Sequence, residues 1–379
     1  MKRLIIKFSL ALLATLSLAI NANCQQITKG EIDNVVPQGS YTPSFANDGS
    51  EGRIDNIILM IGDGMGLAHL SAAMYANGGE LTITNLRKCG FVRTQSYTHF
   101  TTDSAASGTA YATGSKTHNK AIGVDKDDRP IENIVDRLSD KGYATGIVTT
   151  DFIDGATPSA FFAHQKDRGM SVEIWSDLPG SKLNLFAGGC RDAFEALPQQ
   201  VQSAIGAKFQ IVNSLDNVPT TNKLGYLPER GETASVNDPK RGDFLPATTR
   251  FAIDRLGGLN KRGFFLMVEG ARIDKSSHDN DFQAVVRETL DFDKAVEAAI
   301  RFAEKDGHTL VIISADHETG ALALRKGDIQ KGYVSGTFSS EGHTPIMVPL
   351  FAFGPYSDRF CGIQENSDVS NKIYQLLTE

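Results

Sequence analysis

Five short apolar runs, four of them followed at once by polar and ionisable residues, set the strongest limit on how this chain can fold. They are Asn56–Ile61, Tyr143–Thr149, Phe264–Val268, Thr309–Ser314 and Val348–Phe353. Nearly continuous apolar character over so few residues suits strands buried on both sheet faces. Helical patterns at Ala105–Thr113, Ile131–Lys141, Thr248–Leu256 and Phe282–Lys305 fall between them. Strands alternating with helices predict an α/β fold, a mostly parallel sheet covered by helices. Asp63 follows the first run, Thr150 to Thr157 the second, Glu269 the third, and Asp316 with His317 the fourth. Open α/β sheets bind ligands outside the carboxyl ends of their strands. The pattern therefore gathers residues distant in sequence at one edge, and predicts a single site there.

Length and composition limit the rest. The 379 residues, 41% hydrophobic and 22% charged, suit a well-packed globular chain and exclude wholesale disorder. Lys2, Arg3 and Lys7 precede an apolar stretch from Leu4 to Ile20 and then Asn21, Ala22, Asn23 and Cys24, the order of a secretory signal peptide. Residues 1–24 are read as that segment, 25–52 as a polar N-terminal arm, and 53–379 as one catalytic domain with insertions around 171–245. The expected location is periplasmic or extracellular. A lipid anchor on Cys24 is the competing reading, and Asn21 argues against it. Removing the segment takes away three basic residues and no acid, so a chain of formal charge −7 becomes more acidic still. Such a chain has little attraction for nucleic acid or an anionic membrane surface. Cys89, Cys190 and Cys361 would then remain, an odd and widely spaced set that builds no disulfide framework, though one bond is compatible with an oxidising compartment.

The motifs carry the chemistry. In Gly62-Asp63-Gly64-Met65-Gly66 a carboxylate sits on a glycine-flanked turn where backbone can approach an ion, although an Asp that merely steadies a turn fits as well. Ser104, in Thr102-Asp103-Ser104-Ala105-Ala106-Ser107, falls where a helix begins. That position suits a cap, and also a nucleophile facing a phosphate bound at the helix N-terminus. No Gly-x-Ser-x-Gly elbow is present, so a metal would have to activate that serine. Asp274 and His278 are four apart and share a helix face, where they can share a cation or simply pair. Glu269, ending an apolar strand, is harder to assign to structure alone. Asp316 and His317 offer adjacent carboxylate and imidazole, whereas His343 alone in its loop carries no weight.

Taken in order, Asp-Gly-Met-Gly, Thr-Asp-Ser-Ala-Ala-Ser, Ala-Thr-Pro, Glu-Gly-x-x-Ile-Asp-Lys-x-x-His, Ala-Asp-His-Glu and Gly-His-Thr resemble the alkaline phosphatase family from about Asn56 to Pro355. The resemblance implies a three-layer α/β/α sandwich, a homodimer, and hydrolysis of phosphate monoesters through a phosphoserine on Ser104. It implies two zinc ions, one on Asp63, Asp316 and His317 beside Ser104, the other on Asp274, His278 and His343. It implies one magnesium on Asp63, Thr157 and Glu269. Arg168 resembles the arginine that clamps phosphate, and its planar fork suits that task. Lys275 resembles a residue that reaches phosphate through water. One position departs from the family pattern: Gly155 stands two residues before Thr157, where many members carry Asp or His. Either Asp154 reaches the magnesium shell through a shifted turn, or water fills the gap. Diester or phosphonate hydrolysis on the same architecture is the nearest alternative reaction. Sulfatase chemistry is disfavoured because no Cys-x-Pro-x-Arg segment is present.

Overall fold

A computed structural model describes residues 27–189, 191–228, 234–259 and 261–378. Residues 1–24, read above as a signal peptide, and Cys190 lie outside the described residues. In chain order the first strands and helices are β1 (Thr28–Ile32), β2 (Asn56–Gly62), α1 (Leu67–Ala76), β3 (Lys88–Arg93), α2 (Ser104–Thr113), α3 (Ile134–Ser139), β4 (Ala144–Phe152) and α4 (Ala156–Ser159). The middle of the chain forms α5 (Ser171–Asp177), β5 (Leu185–Gly189), α6 (Arg191–Glu195), α7 (Gln199–Gly206), β6 (Gln210–Val212), β7 (Leu224–Tyr226) and α8 (Phe244–Gly257). Then come β8 (Phe264–Gly270), α9 (Arg272–His278), α10 (Phe282–Asp306), β9 (Thr309–Ser314), β10 (Glu318–Thr319), β11 (Ala323–Asp328) and β12 (Tyr333–Phe338). The chain closes with β13 (His343–Thr344), β14 (Val348–Phe353), β15 (Gly362–Glu365) and α11 (Asn366–Thr378).

Ten strands form the central sheet in the order β15-β3-β14-β9-β2-β8-β4-β5-β7-β6. The neighbours from β9 to β6 all run parallel, and β14 runs antiparallel to both of its partners. Every residue of β2, β8 and β9 is buried, which explains why their sequences read as unbroken apolar runs. Helices α1, α8 and α10 pack together over one face of the sheet, and α2, α3 and α11 over the other. This is the α/β layering expected. Phe161 stacks on Phe265 at a ring separation of 6.2 Å, joining the layer that holds α4 to β8.

Local chemistry moves several boundaries. Asn133 caps α3 by accepting from Asp136 N at 3.0 Å, so that helix begins at Ile134 and not at Ile131. Residues 171–245, read above as inserted, contribute β5, β7 and β6 to one edge of the main sheet. Two of those strands have three residues each, too short to show a period in sequence. The arm is likewise integrated, because β1 pairs antiparallel with β12 in a separate three-stranded sheet. Cys89 and Cys361 are free thiols; Cys89 lies in β3 and Cys361 immediately precedes β15, whose register sets Gly362 opposite Gly90.

A buried ion cluster fastens the segment before α8 to the longest helix. Arg241 reaches Asp291 on α10 at 2.6 Å, the carbonyl of Ala234 at 2.7 Å, and Glu288 at 3.6 Å. Burial raises Glu288 to about 7 even though Arg241 opposes the shift. Removing one partner of a buried pair leaves its carboxylates uncompensated. Arg241→Ala is therefore expected to destabilise the protein by about 3 kcal/mol, read as a lower urea midpoint. A midpoint equal to that of the unsubstituted protein would show the cluster to be energetically idle.

Candidate active site and metal centre

The site grows out of the carboxyl ends of β2, β4, β8 and β9. Their register sets these ends level, with Gly62 opposite Gly270, Thr149 opposite Glu269 and Ile61 opposite Ser314. After β2 the chain turns at Gly64, whose φ of +73° favours glycine. A Cβ there would also stand 2.8 Å from Asp274 Cα. The turn leaves Asp63 buried, and the Gly64 amide donates to Asp316 Oδ1 at 3.1 Å. Asp316 and His317, one and two residues beyond Ala315, have no solvent exposure.

Three histidines converge here. His343 is delivered by the two-residue pairing of β13 with β10, in which it stands opposite Thr319. Its ring stacks on His317 with centroids 3.5 Å apart, and its Nε2 lies 3.1 Å from His278 Nε2 and 3.6 Å from Asp274 Oδ1. His278 Nε2 is 3.3 Å from Asp274 Oδ2. His317 Nε2 is 3.2 Å from Asp316 Oδ2, 3.5 Å from Asp63 Oδ1 and 3.1 Å from Ser104 Oγ. Each ring is held by its other nitrogen. Nδ1 of His343 meets the carbonyl of Thr102 at 3.0 Å, that of His278 the carbonyl of Glu341, and that of His317 the hydroxyl of Thr319 at 3.2 Å. An Nδ1–H given to such an acceptor turns Nε2 toward the cluster on all three rings, where its lone pair serves a cation once the ring is deprotonated. Thr319 Oγ1 in turn donates to Asp274 Oδ1 at 2.5 Å.

The electrostatics demand cations. Asp63 is pushed well above the usual carboxylate range by burial, then by Asp316, Asp274 and Glu269. Glu269 is pushed up to about 8 by burial and by Asp151. Burial opposes the charge on Asp274, but the hydrogen bond from His278 and the nearby His317 and His343 hold it below its ordinary value. Asp63 Oδ1, Asp316 Oδ2, Glu269 Oε1 and Thr157 Oγ1 are buried without a hydrogen-bond partner. Groups of that kind are costly unless a ligand satisfies them. Asp63, Asp316 and His317 bring ligand atoms within 4.8 Å of one another, as do Asp274, His317 and His343. Mixed imidazole and carboxylate donors suit zinc, whereas the all-oxygen set of Asp63, Thr157 and Glu269 suits magnesium.

Ser104 is the first residue of α2 and is nearly buried. Asp103 caps the helix through Oδ1, which accepts from Ala106 N at 3.0 Å. Its Oδ2 accepts from Lys120 N at 3.0 Å and faces Arg168 Nη1 at 3.5 Å, so one carboxylate sets both the helix start and the arginine. Arg168 is 39% exposed, at the rim. The small residues of α2 permit close approach, since a Cβ on Gly108 would lie 3.2 Å from Thr157 Cα.

The structure thus brings Asp63, Ser104, Asp316 and His317 together, and joins Asp274, His278 and His343 to them. Glu269 accepts from Thr149 Oγ1, and Thr157 is buried beside α2. Lys275 pairs with Asp151. Asp154 turns instead to α5, where its Oδ2 accepts from Ser171 Oγ at 2.5 Å. Sequence reading passed over Thr149, Asp151 and Thr319. The signal available for Asp151 was an acid at the end of an apolar strand, the same signal that marked Asp63. His69, read as structural, is fully buried with Nε2 3.0 Å from Ser277 Oγ. A groove of about 740 Å³ between β1, β12 and the start of α10 is lined by Lys29, Glu31, Phe282 and Arg325, and holds no comparable cluster.

Known proteins bear on this arrangement. The family described as Alkaline phosphatase matches residues 54–206 and 232–337. Alkaline phosphatase 4 of Bacillus subtilis is 31% identical over 86% of this chain and 89% of its own length. The alkaline phosphatase of Escherichia coli is 30% identical over 87% of this chain and 88% of its own. The solved alkaline phosphatase of the Antarctic bacterium TAB5 superposes with a TM-score of 0.80 at 35% identity, covering 86% of this chain and 99% of that one. One of its forms, with a histidine replaced by aspartate, has magnesium bound in the site called M3. With the sheet, the strand-end carboxylates and the sequence all agreeing, the chain belongs to the alkaline phosphatase family and is a phosphatase.

Proposed function

We propose that the protein hydrolyses phosphate monoesters through a phosphoserine formed on Ser104. The observation that carries this reading is Ser104 Oγ at the N-terminus of α2, 3.1 Å from His317 Nε2 and within the group of unpartnered buried carboxylates. Two zinc ions, on Asp63, Asp316 and His317 and on Asp274, His278 and His343, and a magnesium on Asp63, Thr157 and Glu269 would supply positive charge that acidifies the serine and neutralises the phosphoryl oxygens.

The chain's own groups do the rest. The free N–H groups at the start of α2 favour a phosphate there. Arg168, steered by Asp103, offers two parallel N–H donors to the remaining oxygens. Ser104 Oγ, having lost its proton, attacks phosphorus while the bond to the ester oxygen breaks and the alkoxide departs. Water then breaks the Oγ–phosphorus bond, releasing phosphate and returning a proton to Ser104. The transition state is loose, so positioning and charge dominate. Because recognition rests on the phosphoryl group, broad monoester specificity and an alkaline optimum follow. Arg168 favours a dianionic monoester over a diester. Export to the periplasm or exterior and assembly as a homodimer complete the proposal. Among the described residues no helix is long and apolar enough to cross a membrane.

Hydrolysis of p-nitrophenyl phosphate at alkaline pH is expected to vanish on chelation and return with zinc. Retained activity after full chelation would overturn the metal assignment. Ser104→Ala is expected to lower kcat at least about 10³-fold, as losing a nucleophile does, with the melting temperature little changed. Undiminished turnover would remove Ser104 from its role.

Metal removal also has a pH signature. Folding raises Glu269 to about 8 and, through the Asp274 hydrogen bond, His278 to about 9. A group raised on folding stabilises fully below its unfolded value and loses that contribution as pH climbs through its folded value. The Glu269 window runs from pH 4.5 to about 8 and the His278 window from 6.5 to about 9, so the two overlap from 6.5 to about 8 and that of His278 continues above. The metal-free protein is therefore expected to melt progressively lower from pH 7 to pH 9, while the metal-loaded protein, its ligands already deprotonated, changes much less. Parallel melting curves for the two forms would contradict this account.

A further inference from the structure

The departure at Gly155 has a counterpart in space. Gly155 has φ −56° and ψ 154°, a conformation open to any residue, so its backbone does not require glycine. A neighbour does. A Cβ on Gly155 would lie 2.8 Å from Asp151 Cγ, nearer still to Asp151 Oδ2, and 2.9 Å from the carbonyl oxygen of Phe152. The room that a side chain at 155 would enter is therefore taken by a carboxylate reaching in from four residues upstream.

The end of β4 aims it there. Thr149 stands opposite Glu269 in the parallel register, so Asp151, the last residue but one of β4, lies two residues past that level, beyond the end of β8 at Gly270. The β4–β5 register slips between Val148 and Phe152, and that irregularity releases the backbone for the turn. The Asp151 amide donates to Thr149 Oγ1 at 2.8 Å, and the same hydroxyl donates to Glu269 Oε2. Thr149 thus ties Asp151 to a carboxylate of the magnesium set. On its other side Asp151 Oδ1 accepts from Lys275 Nζ, next in sequence to Asp274. Asp154 is occupied by Ser171 and does not compete.

We propose that Asp151 takes over the task of the side chain missing at Gly155, placing a negative charge beside the magnesium formed by Asp63, Thr157 and Glu269 and holding Lys275 in position. This rests on the reading given under Proposed function. Magnesium keeps several of its waters in protein sites, and carboxylates beyond the direct ligands orient them. Asp151 is a positioning residue in this scheme: it acts through the hydrated cation and through Lys275.

The test is magnesium binding to zinc-loaded protein by isothermal titration calorimetry, with zinc content and melting temperature as controls. Asp151→Ala and the nearly isosteric Asp151→Asn are each expected to weaken magnesium binding about 10- to 100-fold. The double variant Asp151→Ala/Gly155→Asp is expected to regain part of that affinity, because removing the Asp151 carboxylate clears the nearest obstruction to a side chain at 155 and leaves the Phe152 carbonyl as the other. Gly155→Asp alone, with both carboxylates forced together, is expected to bind no better than the unsubstituted protein. Unchanged magnesium affinity in both Asp151 variants would overturn the proposal, as would no magnesium binding by the unsubstituted protein. Zinc-restored phosphatase activity of the unsubstituted protein tests the functional reading separately. If that activity stands while the Asp151 variants bind magnesium normally, only the role of Asp151 fails.

Discussion

The mutual repulsion of buried carboxylates is the constraint on which the rest of this structure depends. Asp63, Glu269, Asp274 and Asp316 lie together with almost no contact with solvent. Two unit charges 4 Å apart interact by about 4 kcal/mol at an effective dielectric of 20. Several such pairs rival the entire stability of a domain, roughly 5–15 kcal/mol. The fold can hold them only if the surrounding strands are over-determined and cations complete the group. The first condition is visible in β2, β8 and β9, each buried along its whole length. The second is visible in the four polar atoms left without partners.

The histidines show how such a centre is kept ready. None of the three is free to rotate, because each Nδ1 is committed to a carbonyl or hydroxyl. Two of those acceptors are backbone groups outside any regular element, so loop geometry fixes the rings and the direction of their lone pairs. Thr319 links two parts of the centre at once, donating to Asp274 while meeting His317 Nδ1. A site whose ligands are already oriented loses little freedom when a cation enters.

How much of this was legible in the sequence follows from what each feature depends on. Fully buried parallel strands declare themselves by composition, and residues at their ends inherit a shared location from topology; Asp63, Glu269, Asp316 and His317 were readable for that reason. His343 was not readable from its own surroundings. A pairing only two residues long brings it in, and such a contact leaves no periodic trace. The short β6 and β7 were hidden in the same way. Asp151 was missed for another reason: the family pattern drew attention to Gly155 and its neighbour Asp154, whereas the space is filled from four residues away. A motif compares positions along the chain. Side chains compete for positions in space.

An acidic protein that acts on anions poses one further question, and the pairing of its basic residues answers it. Arg168 faces Asp103, Lys275 faces Asp151 and Lys120 approaches Asp167 at 3.9 Å. Each of these three cations is thus held by its own carboxylate, which orients it but cancels much of its field at a distance. On the proposed function the attraction for a phosphate dianion would come from ions in the centre, where an excess of buried carboxylates can accept more positive charge than the side chains supply. Specificity then follows from placement. In the proposed mechanism the phosphoryl group would be gripped by cations, helix N–H groups and one aligned guanidinium, while Arg168 at the open rim would leave the remainder of the ester facing water. A site that works in this way would discriminate the charge and shape of the phosphoryl group and ignore most of what is attached to it.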